Sequence, residues 1–357
     1  MTSQPETLRP LWIGTYPEAG AGTPAGLGEG IWRVDLDPAT GALSGAHLVV
    51  ETPAPSFLVA HPTAPVLYAV DEQQAGAVTL FDVVDGGLRP RVTVASGGAD
   101  PCHLLLDDDA RTLLVANYSA GTLGVLPLDP DGGFHAEVLA AGGPAQVLGH
   151  TGAGPHPDRQ EAPHAHFVAL APGGHHVLVV DLGTDEVRRY SRDLESGLLT
   201  EDGVAVQLPP GTGPRHLAFA PDGSRAYLAG ELDSSVHVLA WDGPTARGEL
   251  VQTLPATGSG DPDRRLPAHV LLDGNRLLVG VRGPDVVASF SVDDDGLLRP
   301  DDEHALPGSW PRHHVVVDGW TVVAQQEGGG VVVLDEAGSQ VGSAAVPSPA
   351  CVVLAVA

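Results

Sequence analysis

Polar side chains open a series of otherwise apolar segments along this chain. His103, His164, His166, Arg215, His216, His269, Arg312 and His313 each follow closely on a proline and precede runs rich in Leu, Val and Ala. A second set, Asn117, Asp181, Glu231, Arg282 and Gln325, ends the apolar runs that come next. Gathered at one place, imidazoles and guanidiniums beside a carboxylate or two would hold an anion, because charges in a low-dielectric cleft act strongly. A guanidinium fork matches a carboxylate or a phosphate, and a neighbouring Glu or His suits general-base work. The recurrence also has a plainer reading. A His repeated at equivalent positions can fix each repeat by hydrogen bonding, and His216, His269 and His313 divide evenly between the two. Arg215, Arg282 and Glu231 repeat less and read as functional.

The run from Gly152 to His166 is the second signal, since long structured loops on a rigid scaffold tend to carry binding groups. It holds Arg159 and Gln160, candidates to grip an anionic substrate, and ends in His164 and His166 at strand spacing, which lets both face one way. Two such His would need a third ligand to hold a metal, and none stands at a telling spacing, so neither metal nor other cofactor is expected. Cys102 and His103 are adjacent on a strand and should point to opposite faces, which argues against a thiol nucleophile. No GxGxxG follows a strand and no HExxH is present; Gly26, Gly28 and Gly30 precede a strand rather than a phosphate-binding helix. Asn117-Tyr118-Ser119 is a glycosylation sequon only in a secreted chain.

Something must bring these residues together, and the chain repeats. Pro55, Pro101, Pro163, Pro214, Pro267, Pro311 and Pro349 each open a unit of about fifty residues. The clearest unit runs Pro214-Arg215-His216-Leu217, Pro221-Asp222-Gly223, Ala226-Tyr227-Leu228-Ala229, Glu231, then Val236-His237-Val238-Leu239. Units of three or four short strands, with helical periodicity nearly absent, predict an all-β, seven-bladed β-propeller as one domain over residues 1–357. The last unit is split. Its innermost strand, Cys351 to Val356, is expected to pair with Leu11–Gly14, followed by Gly30–Asp35, which closes the ring and hides both sheet edges.

Composition agrees. Hydrophobic residues make up 43% of 357, enough for a large core, and the net charge of −27 disfavours nucleic acid and anionic membrane as partners. All 18 basic residues are Arg, which removes Schiff-base chemistry and the P-loop lysine. No apolar run is long enough to span a membrane. The polar start, Met1 to Arg9, lacks the shape of a secretory signal, and two Cys make no disulfide framework. A cytoplasmic location is the expectation, with the oligomeric state left open.

Several segments resemble the seven-bladed lactonase family, which includes bacterial propeller-type 6-phosphogluconolactonases and fungal carboxy-muconate lactonising enzymes. They are Val115-Ala116-Asn117-Tyr118, Asp158-Arg159-Gln160 with Pro163-His164-Ala165-His166, Asp181-Leu182-Gly183-Thr184-Asp185, and Gly213-Pro214-Arg215-His216 with Gly230-Glu231-Leu232. The resemblance implies a metal-independent lactone hydrolase or a lactone-forming cycloisomerase acting on a small anionic lactone or carboxylate. It also implies a site of one His, two Arg and a Glu, which by motif fall on His164 or His166, Arg215, Arg282 and Glu231. Val281 departs from the family's usual residue before that Arg. Alignment on the opening proline favours His164; alignment on the Pro172 and Pro221 turns favours His166. The leading reaction is hydrolysis of 6-phosphoglucono-1,5-lactone, with Glu231 or the His as base. The alternatives are lactonisation of a muconate-type diacid and a non-catalytic propeller platform for protein partners, which would show exposed apolar patches.

Overall fold

The computed structural model describes residues 7–16, 29–328 and 330–355. The first six residues, Gly26, Gly28 and Val356 lie outside this set. Seven four-stranded antiparallel sheets make up the described chain. Their innermost strands are Leu58–Ala60, Pro101–Leu106, Ala165–Leu170, Pro214–Phe219, Leu266–Asp273, Ser309–Val317 and Pro349–Leu354. Each touches the next, and the last touches the first, so the sheets form a closed ring of seven blades.

Closure is made by the split seventh blade. Pro349–Leu354 pairs antiparallel with Arg9–Thr15, with Leu11 opposite Leu354 and Ile13 opposite Val352, and Gly30–Leu36 and Leu43–Glu51 complete the sheet. Burial follows position within a blade. The second strands, such as Thr112–Asn117 and Val66–Asp71, are buried almost throughout, because neighbouring blades cover both faces. The outermost strand Arg247–Pro255 alternates exposed and half-buried residues along its whole length, as a sheet with one wet face must. Between blades the apolar side chains interlock, as where Leu178 and Val180 of the third meet Leu228, Leu239 and Trp241 of the fourth. One departure from an all-strand chain is a short helix, Ala136–Ala141, before the outermost strand of the second blade. It stops where Gly142 adopts a left-handed φ of 70°. No helix among the described residues is long and apolar enough to cross a membrane.

Side chains, mostly aromatic, fill the axis of the ring. Phe57 packs on His103 at 4.3 Å and on His313 at 5.7 Å, and Phe167 packs on His103 and His216 at 4.1 and 4.6 Å. His216 and His269 face each other with Nδ1 atoms 2.8 Å apart, so one ring donates and the other accepts. His269 in turn lies 4.2 Å from His313. The expectation of a cationic imidazole ring is therefore corrected. Burial, followed by the like charge of neighbouring His and Arg, holds His103, His216 and His269 well below the ordinary value of 6.5 and brings His313 to about 3. These rings are neutral plugs of the channel floor.

Neutral buried imidazoles make stability depend on pH with a definite sign. Below 6.5 the unfolded chain binds protons that the folded chain refuses, so stability is lost as pH falls, by up to about 1.4 kcal/mol per pH unit for each such histidine. Asp71, raised by burial to about 6, opposes this in part. The melting temperature should fall between pH 6.5 and 5.5, where ordinary carboxylates do not yet titrate. A flat or rising melting temperature across that interval would contradict the neutral stack.

Candidate active site

The register of each innermost strand decides which side chains reach the axis. The ladder slips at its start in six blades. Residues are skipped between Pro101 and His103, Ala165 and Phe167, Pro214 and Leu217, Pro267 and Val270, Pro311 and His313, and Pro349 and Cys351. A bulge leaves its extra residue unpaired and re-aims it. The skipped residues include Cys102, His166, Arg215, His216 and Arg312, and all five line one hollow above the histidine floor, together with Ser56, Phe57, His313 and Ala350. Strict alternation therefore fails for Cys102 and His103: the bulge lets both turn inward. Burial pushes the Cys102 thiol up, so it stays protonated.

In four blades a left-handed residue stands just ahead of the slip. Asp100, Gly213, Trp310 and Ser348 have positive φ and immediately precede Pro101, Pro214, Pro311 and Pro349, whereas the third and fifth blades slip without one. At Gly213, with φ 57°, an added Cβ would also strike the Leu232 side chain at 2.4 Å. Its carbonyl accepts the Glu231 N–H at 2.8 Å, which turns the Glu231 side chain toward the hollow.

Glu231 is the hub. Its Oε1 receives Arg159 Nη2 at 2.5 Å, while its Oε2 receives Arg282 Nη2 at 2.5 Å and lies 2.9 Å from Arg215 Nε. Arg215 and Arg282 are buried; Arg159, on the loop ahead of the third blade, has 38% of its side chain exposed. Arg215 Nη1 also donates to Ala268 O at 2.7 Å, and Arg282 Nε to Leu266 O at 3.2 Å, so both forks are held in place. The Tyr118 hydroxyl bonds Arg159. Burial acts to raise the Glu231 carboxyl, but Arg282, Arg159 and Arg215 together hold it well below the usual carboxylate range. Burial and then Arg282 push the Arg215 guanidinium down.

The two candidate histidines separate clearly. His164 stacks on Tyr118 at 4.4 Å, with Nδ1 3.0 Å from Tyr118 O and Nε2 3.2 Å from Glu161 Oε1. His166 faces the hollow, and its buried Nδ1 has no hydrogen-bond partner. Burial, and next Arg215, hold its pKa well below 6.5, so its ring is neutral. Alignment on the following turn is the correct one, since Ala165, not Pro163, stands opposite Asp181 as Pro214 stands opposite Gly230.

The same register corrects the second set. Asn117, Asp181 and Gln325 sit opposite the last residue before the slip, in the place of Gly230, one short of the Glu231 position. Asn117 Nδ2 donates to Ser96 O and to Thr122, Asp181 Oδ1 accepts from the backbone of His164, Gly183 and Thr184, and Gln325 Oε1 accepts from Gly308 N. Gln160, too, is spent on the scaffold. Its Nε2 donates to Leu182 O at 2.9 Å and to Asp185 Oδ1 at 2.7 Å, and Asp185 also accepts from Gly211 N and Gly213 N. Asp185 thus ties the Arg159 loop to the start of the fourth blade. His103 and His269 belong to the floor, His216 is a floor residue that also lines the hollow, and Arg312 lines the hollow. The residues in the true register of Glu231 are Tyr16, Glu72, Tyr118, Leu182, Arg282 and Gln326. Glu72, Tyr118, Leu182 and Tyr16 bond back to Ala54, Asp100, His164 and Ser348 as Glu231 does to Gly213. Tyr16, Glu72 and Tyr118 were missed; matching the blades at the ends of their second strands, where Asp71-Glu72 parallels Gly230-Glu231, would have found them.

A wider cleft between the second and third blades, lined by Asp107, Arg111, His135, Arg192 and Leu198, lies away from this chemistry. No cluster of three metal-ligating side chains occurs among the described residues.

Comparison with known proteins places the chain. The family model described as lactonase, 7-bladed beta-propeller, matches residues 10–354. The chain is 33% identical to a 6-phosphogluconolactonase of Bacillus subtilis, over 96% of this chain and 97% of that one. It is 31% identical to a 6-phosphogluconolactonase of Pectobacterium atrosepticum, over 66% of each. Among solved structures it is similar to a periplasmic gluconolactonase of Pseudomonas aeruginosa, with a TM-score of 0.84 and 29% identity over 98% of this chain and 99% of that one. With the bladed ring, the inward arginines and these relatives in agreement, the chain belongs to the seven-bladed β-propeller lactonase family.

Proposed function

We propose that the hollow hydrolyses the ring ester of 6-phosphoglucono-1,5-lactone to 6-phosphogluconate. The observation that carries this reading is a charge imbalance: three guanidiniums converge on one carboxylate, two of them buried. Uncompensated cations in a dry site call for an anion. A phosphorylated lactone supplies two, its phosphate and the oxyanion that forms on its carbonyl.

Water attacks the lactone carbonyl, and the developing oxyanion is met by the fixed Arg215 and Arg282 forks. His166, neutral and with Nδ1 free, takes the proton from the attacking water and returns it to the ring oxygen as the C–O bond breaks. Glu231 is a poor base because three guanidiniums favour its ionised form; it serves to hold them in place. Arg159, reachable from solvent, meets the phosphate.

Four outcomes test this. Arg215→Ala should lower kcat/KM about 10²–10³-fold, and Glu231→Gln should lower both activity and melting temperature, since breaking a buried ion pair costs about 3–5 kcal/mol. If both variants keep near wild-type kcat/KM on purified lactone, the assignment is wrong. Arg159→Ala should reduce the preference for the 6-phosphorylated over the unphosphorylated lactone about 10-fold or more, the worth of one charged hydrogen bond; a muconate-type diacid assayed alongside should not turn over. The active form of His166 is unprotonated and its pKa is depressed, so kcat/KM should stay level from neutral pH down past 6.5 and fall only below it. An acid limb at or above 6.5, after subtraction of spontaneous hydrolysis, would remove His166 as the base.

A further inference from the structure

The first blade repeats the Glu231 arrangement across the hollow. Glu72 follows its second strand, Val66–Asp71, and donates its N–H to Ala54 O at 3.0 Å, as Glu231 does to Gly213 O. Tyr16 of the seventh blade holds the position that Tyr118 holds in the second. Arg312, skipped by its bulge like Arg215, places Nη2 2.5 Å from Tyr16 Oη and 4.0 Å from Glu72 Oε1, with its guanidinium 4.6 Å over the Tyr16 ring. Its Nη1 donates to Gln326 Oε1 at 3.4 Å. Ser56 donates its hydroxyl to Glu72 Oε2. Tyr16, Ser56, Glu72 and Arg312 are all buried, and Ser56 and Arg312 line the same hollow as His166 and Arg215.

The two poles differ in charge, and that difference indicates what each takes. Three cations surround Glu231, whereas Glu72 faces one, so the second pole is electrically balanced. It offers guanidinium donors, a carboxylate acceptor and two hydroxyls within one cluster. An anion gains little there. A sugar hydroxyl, which donates and accepts at once, can engage both kinds of group.

We propose that Tyr16, Ser56, Glu72 and Arg312 form a second subsite that binds the hydroxyl groups of the lactone ring and so selects polyhydroxylated lactones over unsubstituted ones. This deepens the lactonase reading above and rests on it. In the free protein these groups bond one another, Ser56 and Tyr16 to Glu72 and Arg312 to Tyr16. A hydroxylated lactone can exchange into those bonds and an unsubstituted one cannot, which selects the hydroxylated ring. Ser56 and Glu72 are specificity residues here, distinct from the groups that touch the reacting carbonyl.

The experiment compares glucono-1,5-lactone with unsubstituted δ-valerolactone in the wild type and in Glu72→Gln, Ser56→Ala and Tyr16→Phe. The ratio of the two kcat/KM values should be large in the wild type and fall about 10–100-fold in Glu72→Gln, with the loss carried mainly by KM for the hydroxylated lactone. If both lactones slow by the same factor in every variant, the cluster is only a seam joining three blades and the proposal is overturned. Titration of D-gluconate against valerate by calorimetry decides the matter without turnover. Preferential gluconate binding that weakens in Ser56→Ala and Tyr16→Phe supports the subsite, and equal or unchanged binding overturns it. A wild type that hydrolyses neither of these lactones nor 6-phosphoglucono-1,5-lactone but binds gluconate through this cluster would refute the lactonase reading alone.

Discussion

The Glu231 carboxylate is what permits the rest of the hollow to exist. Two guanidiniums withdrawn from water would each lose several kcal/mol of solvation, and Arg215 and Arg282 are both buried with almost no exposure. One carboxylate at 2.5–2.9 Å from each offsets much of that loss and fixes both forks in the same step. It does not cancel the charge. The surplus positive field, enclosed by neutral imidazoles below and apolar blades around, persists inside a chain whose net charge is −27. A strongly acidic protein can therefore present a cationic interior without conflict, because water and salt screen the exposed carboxylates while the enclosed cations are screened far less.

That arrangement depends on a rigid ring and on small irregularities at its centre. Seven sheets closed on themselves leave the inner strand ends little freedom, since the split blade locks Pro349–Leu354 against Arg9–Thr15. The ladder then breaks at the start of six inner strands, in four of them just after a left-handed residue before proline. Each break releases one or two side chains from the alternation that regular pairing would impose. Functional residues cluster at these breaks because there the backbone is held firmly by its neighbours yet not committed to the sheet.

The same ring geometry explains why two histidines three positions or fewer from one proline do different work. His164 spends both ring nitrogens on Tyr118 and Glu161, and it steadies the loop that carries Arg159. His166 falls at the break and keeps Nδ1 unengaged in the hollow. Asp185, on the turn after Asp181, joins that loop to Gly211 and Gly213 and so sets Arg159 beside Glu231, a contact between residues 72 positions apart.

Much of this was legible from residue order alone. The recurring prolines, the short Val- and Leu-rich runs and the split last unit specify a closed propeller, because period, turn chemistry and edge protection all lead to one topology. Arg215, Glu231 and Arg282 stand out as charges ending or opening apolar strands, where burial is otherwise the rule. Register was not legible. Asn117, Asp181 and Gln325 look equivalent to Glu231 in the linear chain, yet each lies one residue short of it, and a shift of one residue on a strand reverses the face. The imidazoles' charge, the separation of His166 from His164 and the gathering of Tyr16 and Arg312 about Glu72 were likewise settled only in three dimensions. Each depends on desolvation, on a bulge or on contacts across the ring, and all three arise from neighbours distant in the chain.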